Sequence, residues 1–269
     1  MSSRNNNSIV KTSSNSDGIL RITLNNPKNH NALSEEMMLN IQLALDESAA
    51  DKKIRVIIIS AEGPTFSAGH DLKELKAGRK NSDKGKGYFK EVMLKCSKLM
   101  QSIVNNPKPV ISEVAGVATA AGCQLVASCD LAYAGESAKF ATPGVNIGLF
   151  CSTPMVALSR NVSNKHSMEM LLTGDLISSS KAAEIGLINK MINDNDLQNF
   201  VLERALKISK KSAMTLKIGK EAFYKQIDMT LSEAYDYASN VMVENMLKLD
   251  AEEGIDAFIN KRTPNWQDK

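Results

Sequence analysis

Two short stretches of this 269-residue sequence could do chemistry through their backbone. The first is Phe66-Ser67-Ala68-Gly69-His70-Asp71-Leu72, and the second is Gly116-Val117-Ala118-Thr119-Ala120-Ala121-Gly122-Cys123. Both are rich in small residues, and both stand where a buried strand ends and a helix can begin. Small side chains let a ligand approach the main chain, and free N–H groups at a helix start point outward with the dipole behind them. Two such donors aimed at one oxygen make an oxyanion hole, in which removing one donor costs about 2.7–4 kcal/mol of transition-state stabilisation. Taken singly, an Ala-Gly cluster also serves close helix packing. His70 adds a ring whose ordinary pKa suits a base near neutral pH, or a turn histidine bonded to backbone. Asp71 is placed to accept neighbouring backbone N–H groups. Cys123, Cys129 and Cys151 have no paired base at a recognisable spacing and read as small fillers of core or pocket.

The elements that must position these turns follow an α/β rhythm. Leu20, Ile22 and Leu24 alternate with polar neighbours and run into Asn25-Asn26-Pro27, which predicts a strand over 19–24 closed by a turn. Ser34 is a candidate N-cap, with Glu35 and Glu36 in the first turn and Met38, Ile41 and Leu45 at helical spacing. Ile54 to Ser60 is continuous and β-branched, as in a strand buried on both faces, and Gly63-Pro64 breaks it. Residues 78–87, GRKNSDKGKG, bury nothing apolar and read as a solvated, mobile loop. Pro107-Lys108-Pro109 is a second break, and Val110 to Val114 a second buried strand. The strand-turn-helix unit at 54–77 echoes the one at 110–129. From about residue 196 the periodicity becomes helical, at Leu197, Val201 and Leu202, then Ala205, Leu206 and Ile208, then Val241, Met242 and Met246.

Composition removes several classes of function. Lys plus Arg is 33 against 30 for Asp plus Glu, a net charge of +3 without a large basic block, so nucleic acid is not the default partner. The four cysteines form no CxxC pair, which suggests neither a metal site nor a disulfide framework and fits a reducing compartment. The uncharged run between Glu113 and Asp130 is made largely of small residues and falls short of a spanning helix, so no membrane span is expected. Residues 1–17 are expected to be a flexible N-terminus. No GxGxxG follows a strand, and neither a GxxxxGK[ST] loop nor a GxSxG elbow occurs.

From about Ile19 to Trp266 the chain resembles the crotonase superfamily of enoyl-CoA hydratases and isomerases. The resemblance is carried by Asn26-Pro27 with Asn31-Ala32-Leu33-Ser34, by FSAGHDL at 66–72, and by KPVISEVAGVATAAGCQL at 108–125. It continues through Ser128-Cys129-Asp130, Phe140 to Gly148, TGDLIS at 173–178, Ala182 to Ile188, and Phe258 with Lys261-Arg262. It implies an α/β crotonase fold, a spiral of ββα units over residues 18–195, and a helical C-terminal trimerisation region over 196–269. A homotrimer or a dimer of trimers is implied, with an acyl-CoA or enoyl-CoA thioester as substrate or ligand and no other cofactor. The branch to which the pairing of AAGCQL with FATPGVNIGLFCSTP is most similar implies a mitochondrial protein of acyl-CoA metabolism, with the cytoplasm as the alternative.

By the same resemblance, the backbone N–H groups of Ala68 and Ala121 are the oxyanion donors. Lys28, Ala32, Asp71, Leu72, Ala120, Gln124, Pro143, Gly144, Phe258 and Lys261 would line the thioester site, with Lys28 and Lys261 toward the nucleotide. The family's usual glycine run is Ala120-Ala121-Gly122 here, which narrows the pocket. The two glutamates that hydratases use for proton transfer, help worth about 10²–10⁴ in rate, are replaced by Gln124 and Gly144. Thr142, Asn146 and Cys151 would make the acyl pocket polar without making it basic. An acyl-CoA-binding protein with weak or no hydratase activity is therefore expected. The alternatives are a hydratase, isomerase or decarboxylase that uses His70, and a regulatory oligomer with a vestigial pocket.

Overall fold

The computed structural model describes residues 8–269. Its strands are β1 (Val10–Ser14), β2 (Ile19–Leu24), β3 (Val56–Ala61), β4 (Thr65–Ser67), β5 (Val110–Val114), β6 (Val117–Thr119), β7 (Leu131–Gly135), β8 (Lys139–Ala141), β9 (Ile177–Ser178) and β10 (Lys190–Ile192). The core helices are α1 (Glu35–Ala50), α2 (Leu72–Gly78), α3 (Lys86–Val104), α4 (Ala121–Ser128), α5 (Pro154–Leu158), α6 (Asn164–Thr173) and α7 (Ser179–Glu184). The chain closes with α8 (Leu197–Ser209), α9 (Ala213–Gln226), α10 (Leu231–Met246) and α11 (Leu249–Ile259).

Three successive units share one plan. β3, β5 and β7 lie side by side and parallel in a six-stranded sheet of order β1-β2-β3-β5-β7-β10. The short strand after each of them, β4, β6 or β8, joins a second sheet of order β4-β6-β8-β9. Each turn of the chain thus adds one strand to each sheet and then crosses over, which is the ββα spiral of the crotonase fold. The run at 56–59 has no polar member because both of its faces are covered. Ile57 and Ile59 enter the main core with Met37, Ile41, Leu45, Leu99 and Phe66, while Val56 and Ile58 pack beneath α8 with Ile111, Tyr133 and Val201. Ser34 caps α1, its Oγ accepting the Met37 N–H at 3.1 Å.

Two expectations need correction. Residues 10–14 of the N-terminus expected to be flexible form β1, paired antiparallel to β2 in the register Val10↔Leu24, with Val10 buried. Residues 1–7 of that segment lie outside the described residues. The polar stretch 78–87 is also more constrained than its composition implies. Gly78 lies against the Tyr88 ring, and the Asp83 carboxylate accepts the Gly85 and Gly87 N–H groups at 2.9 and 2.7 Å before α3 begins at Lys86.

α8 packs on the sheet through Leu197, Val201 and Ala205, whereas the helices after it are tied to the core by polar bonds more than by apolar burial. Asp130 accepts from Val110 N at 2.7 Å, from Lys220 Nζ at 2.7 Å and from the Tyr224 hydroxyl at 2.9 Å, and Lys220 also donates to the carbonyls of Ile103 and Lys108. The last residues return to the same region. Arg55 donates to the carbonyls of Ser209 and Lys211 and to Asp268, and Trp266 Nε1 donates to the Lys210 carbonyl at 2.8 Å. Neither α9 nor α10 has a buried residue, and Phe223, Leu231, Tyr235 and Leu247 stand exposed on them or at their ends.

Candidate active site

The two small-residue turns emerge from neighbouring strands of the second sheet. β4 and β6 run parallel with Ser67 opposite Ala118, so the chain leaves both at the same end. The turns are in contact, since a Cβ added to Gly69 would stand 2.9 Å from that of Ala120. Thr119 Oγ1 donates to the Ala68 carbonyl at 3.2 Å and ties them together. Gly122 sits so tightly on the Ser67 carbonyl that any side chain there would overlap it. Ala120 takes the energy of this junction at φ 50° and ψ −119°, outside the region an L-residue favours, with its N–H held by the Ala141 carbonyl at 3.0 Å.

This junction leaves two N–H groups free. Ala121 is the first residue of α4, and its N–H has no acceptor among the described residues, as the helix start dictates. The expected second donor is different. Ala68 donates its N–H to the His30 carbonyl at 3.0 Å, and Gly69 donates to Ser67 Oγ at 3.3 Å. The next peptide, that of His70, has no acceptor among the described residues. The unbonded N–H therefore lies two residues beyond the expected Ala68, which still belongs to the hydrogen-bonded frame that continues β4.

That frame includes the 26–33 segment. Leu33 donates to the Gly69 carbonyl at 2.7 Å, with Ala32 buried beside it. The fully buried Asn31 accepts from Asn26 N and donates to the carbonyls of Glu62 and Thr65. Asp71 caps α2 by accepting from Lys73 N and Glu74 N, so its carboxylate is occupied by its own turn. The His70 ring is turned inward. Both its nitrogens are buried and neither has a hydrogen-bond partner. Burial holds its pKa below the ordinary histidine value, opposed by the nearby Leu33 carbonyl, and so the ring is neutral at pH 7.

Gln124 and Gly144, where the resemblance places the hydratase acids, are neutral and differently surrounded. Gln124 is 5 % exposed, and its Oε1 faces the thiol of Cys96 on α3 at 3.9 Å. Gly144 is buried under the segment that follows it. A Cβ there would lie 2.6 Å from the Leu149 carbonyl oxygen and 2.9 Å from Cys151 Sγ, which itself accepts the Gly144 N–H at 3.3 Å. Thr142 is fully buried, with its hydroxyl unpartnered. Burial pushes the Cys96 and Cys123 thiols up to about 12 and raises Cys151 as well, so none is a thiolate at neutral pH.

Pro143 opens the short helical turn Pro143–Ile147 above Gly144, and Leu72 stands 55 % exposed at the start of α2. Lys28 lies in the turn Pro27–Asn29, while Phe258 and Lys261 are exposed at the end of α11. Among the described hydrogen bonds and ion pairs, none joins Lys28, Phe258 or Lys261 to the two turns. The sequence did not signal three features: the His70 peptide as donor, the thiol of Cys96, and the Leu149 carbonyl under Gly144. Each depends on how the chain is routed in space, which residue order does not display.

A comparison with known families matches residues 14–269 to the enoyl-CoA hydratase/isomerase model. The chain belongs to this family. Human enoyl-CoA hydratase domain-containing protein 3, mitochondrial, is 49 % identical over 250 residues, covering 93 % of this chain and 81 % of the relative. A probable mitochondrial enoyl-CoA hydratase of Dictyostelium discoideum is 31 % identical, with 92 % and 87 % coverage. Among solved structures, an enoyl-CoA hydratase of Mycobacterium smegmatis superposes with a TM-score of 0.92 at 41 % identity, covering 96 % of this chain and 98 % of the other. The structure of human enoyl-CoA hydratase domain-containing protein 3 superposes at 0.91 with 48 % identity, covering 96 % and 100 %. Within the enoyl-CoA hydratase/isomerase family this chain therefore keeps the fold.

Proposed function

We propose that this protein binds acyl-CoA thioesters, holding the thioester carbonyl between the N–H groups of Ala121 and His70 without the acid pair that hydration requires. The observation that carries this reading is the contact between two turns that each leave one N–H unbonded, beside Gln124 and a Gly144 with no room for a side chain. Donors so fixed polarise the carbonyl and stabilise an enolate without reorganising. With an amide at Gln124 and no side chain at Gly144, neither of these positions offers a carboxylate to take a proton from water. The chain itself needs no cofactor for this binding.

The reading in which His70 supplies a base has less support, since both ring nitrogens are buried. Assembly as a homotrimer or a dimer of trimers is part of the proposal, supported by the apolar residues bare on α9 and α10. A mitochondrial setting is likewise proposed, from the names of the relatives. The test is titration calorimetry with butyryl-CoA, run beside hydration of crotonyl-CoA at high protein concentration. Binding without turnover is expected, and binding unchanged in His70→Ala, which keeps the peptide donor. Rapid hydration would overturn the account of the missing acids, and absence of any heat with CoA esters would favour a vestigial pocket.

A further inference from the structure

We propose that Gln124 is a specificity-determining residue that selects thioesters carrying a carbonyl-type oxygen on the third acyl carbon, a ketone or a carboxylate. This rests on the thioester-binding reading above. Gln124 stands three residues after Ala121 on α4, hence on the same face of the helix, and helical side chains lean back toward the N-terminus. Its amide is therefore directed to the end where the Ala121 N–H waits. An acyl atom two bonds beyond the thioester carbon comes within its reach.

The polarity of that amide is set by its surroundings. Oε1 is turned to Cys96, whose thiol stays protonated and can only donate to it. Among the described residues Nε2 has no acceptor, and it is not one of the sealed, unpartnered atoms that His70 and Thr142 carry, although the residue is 95 % buried. The site thus sees two donors and no acceptor, the reverse of what a glutamate would present. A ketone or carboxylate oxygen matches this polarity, because it only accepts. A hydroxyl would need a second partner for its proton, and these side chains are poorly placed to give one, since Oε1 is turned to Cys96, Gly144 has no side chain and Thr142 Oγ1 is sealed. A bare chain leaves Nε2 without a partner, which is the type of mismatch that sites built for a hydrogen bond reject.

The experiment is calorimetric titration of the full chain with butyryl-, 3-hydroxybutyryl-, acetoacetyl- and malonyl-CoA. Acetoacetyl-CoA, malonyl-CoA or both should bind about tenfold more tightly than butyryl- and 3-hydroxybutyryl-CoA, and which of the two leads separates the ketone from the carboxylate. In Gln124→Met the ratio should fall to about one. In Gln124→Glu it should invert, because the carboxylate repels an acceptor. Should either variant misfold, Cys96→Ala supplies the second test: it frees the amide to turn and should shrink the ratio, whereas Cys96→Ser should preserve it. Equal affinities in the natural chain, or a preference surviving in Gln124→Met, would overturn the inference while butyryl-CoA binding still upheld the thioester reading. Failure of all four esters to bind would remove both.

Discussion

Gly69 faces Ala121 across the junction of the two site turns, so closely that a Cβ on Gly69 would stand 3.0 Å from the Ala121 nitrogen. At φ 89° Gly69 is also in a conformation that side chains rarely adopt. Gly69→Ala should therefore destabilise the fold by about 1–3 kcal/mol and weaken butyryl-CoA binding at least about tenfold by shifting one donor away. Denaturant unfolding and calorimetry on the same preparation check both. An unchanged affinity would show that the two turns do not act on one ligand atom.

Restoring the hydratase acids should fail. Gln124→Glu places a carboxylate where an amide stands, but Gly144→Glu drives its Cβ into the Leu149 carbonyl. The double variant is expected to hydrate crotonyl-CoA no faster than Gln124→Glu alone and to be less stable than it, by about 1–3 kcal/mol of overpacking. Enoyl absorbance and denaturant unfolding decide it. A large gain in hydration would show that the 149–151 segment yields readily.

Lys220 and Asp130 are a buried pair. Burial lowers the pKa of Lys220 and raises that of Asp130, each opposed by its partner. Lys220→Met leaves the carboxylate uncompensated and should cost about 3–5 kcal/mol, most of which Asp130→Asn in the same chain should restore. The comparison of the two unfolding curves tests this, and additive losses would contradict it.

Acid should loosen the C-terminal segment at a defined pH. Arg262, with the Asn265 N–H, holds the Glu253 carboxyl down at about 2 against an ordinary value of 4.5. Because the folded value is depressed, the contribution is complete above about pH 4.5 and is lost as the pH falls toward 2. Trp266 is the single tryptophan of the chain and lies against Gly254 with its indole N–H on Lys210. Its emission should move to the red within that window. In Glu253→Gln it should be red-shifted already at pH 7, and a natural chain whose emission stays constant down to pH 2 would count against the tie.

Much of this architecture was readable from residue order. The continuous apolar run at 56–59, the Ser34 cap and the small-residue turns are local signals, and the structure places each as its pattern implies. β1 was missed because Val-Lys-Thr-Ser-Ser has one buried residue and owes its order to pairing with β2. The bonded state of the Ala68 N–H was not foreseen because alternation cannot tell which peptide of a turn still belongs to the strand frame, and His30, the partner of Ala68, lies 38 positions earlier. The cover over Gly144 was invisible for the same reason. A glycine shows that a side chain is missing, and only the path of residues 149–151 shows that none would fit.

The two proposed donors stand just beyond adjacent strands of the small sheet, so their separation follows from a main-chain ladder whose strands lie about 4.8 Å apart. Drift in side-chain identity leaves that spacing almost untouched. Proton-transfer groups can disappear by single substitutions, whereas a grip written into backbone pairing disappears only with the sheet. A family built this way can shed its reaction and still hand down its hold on the ligand.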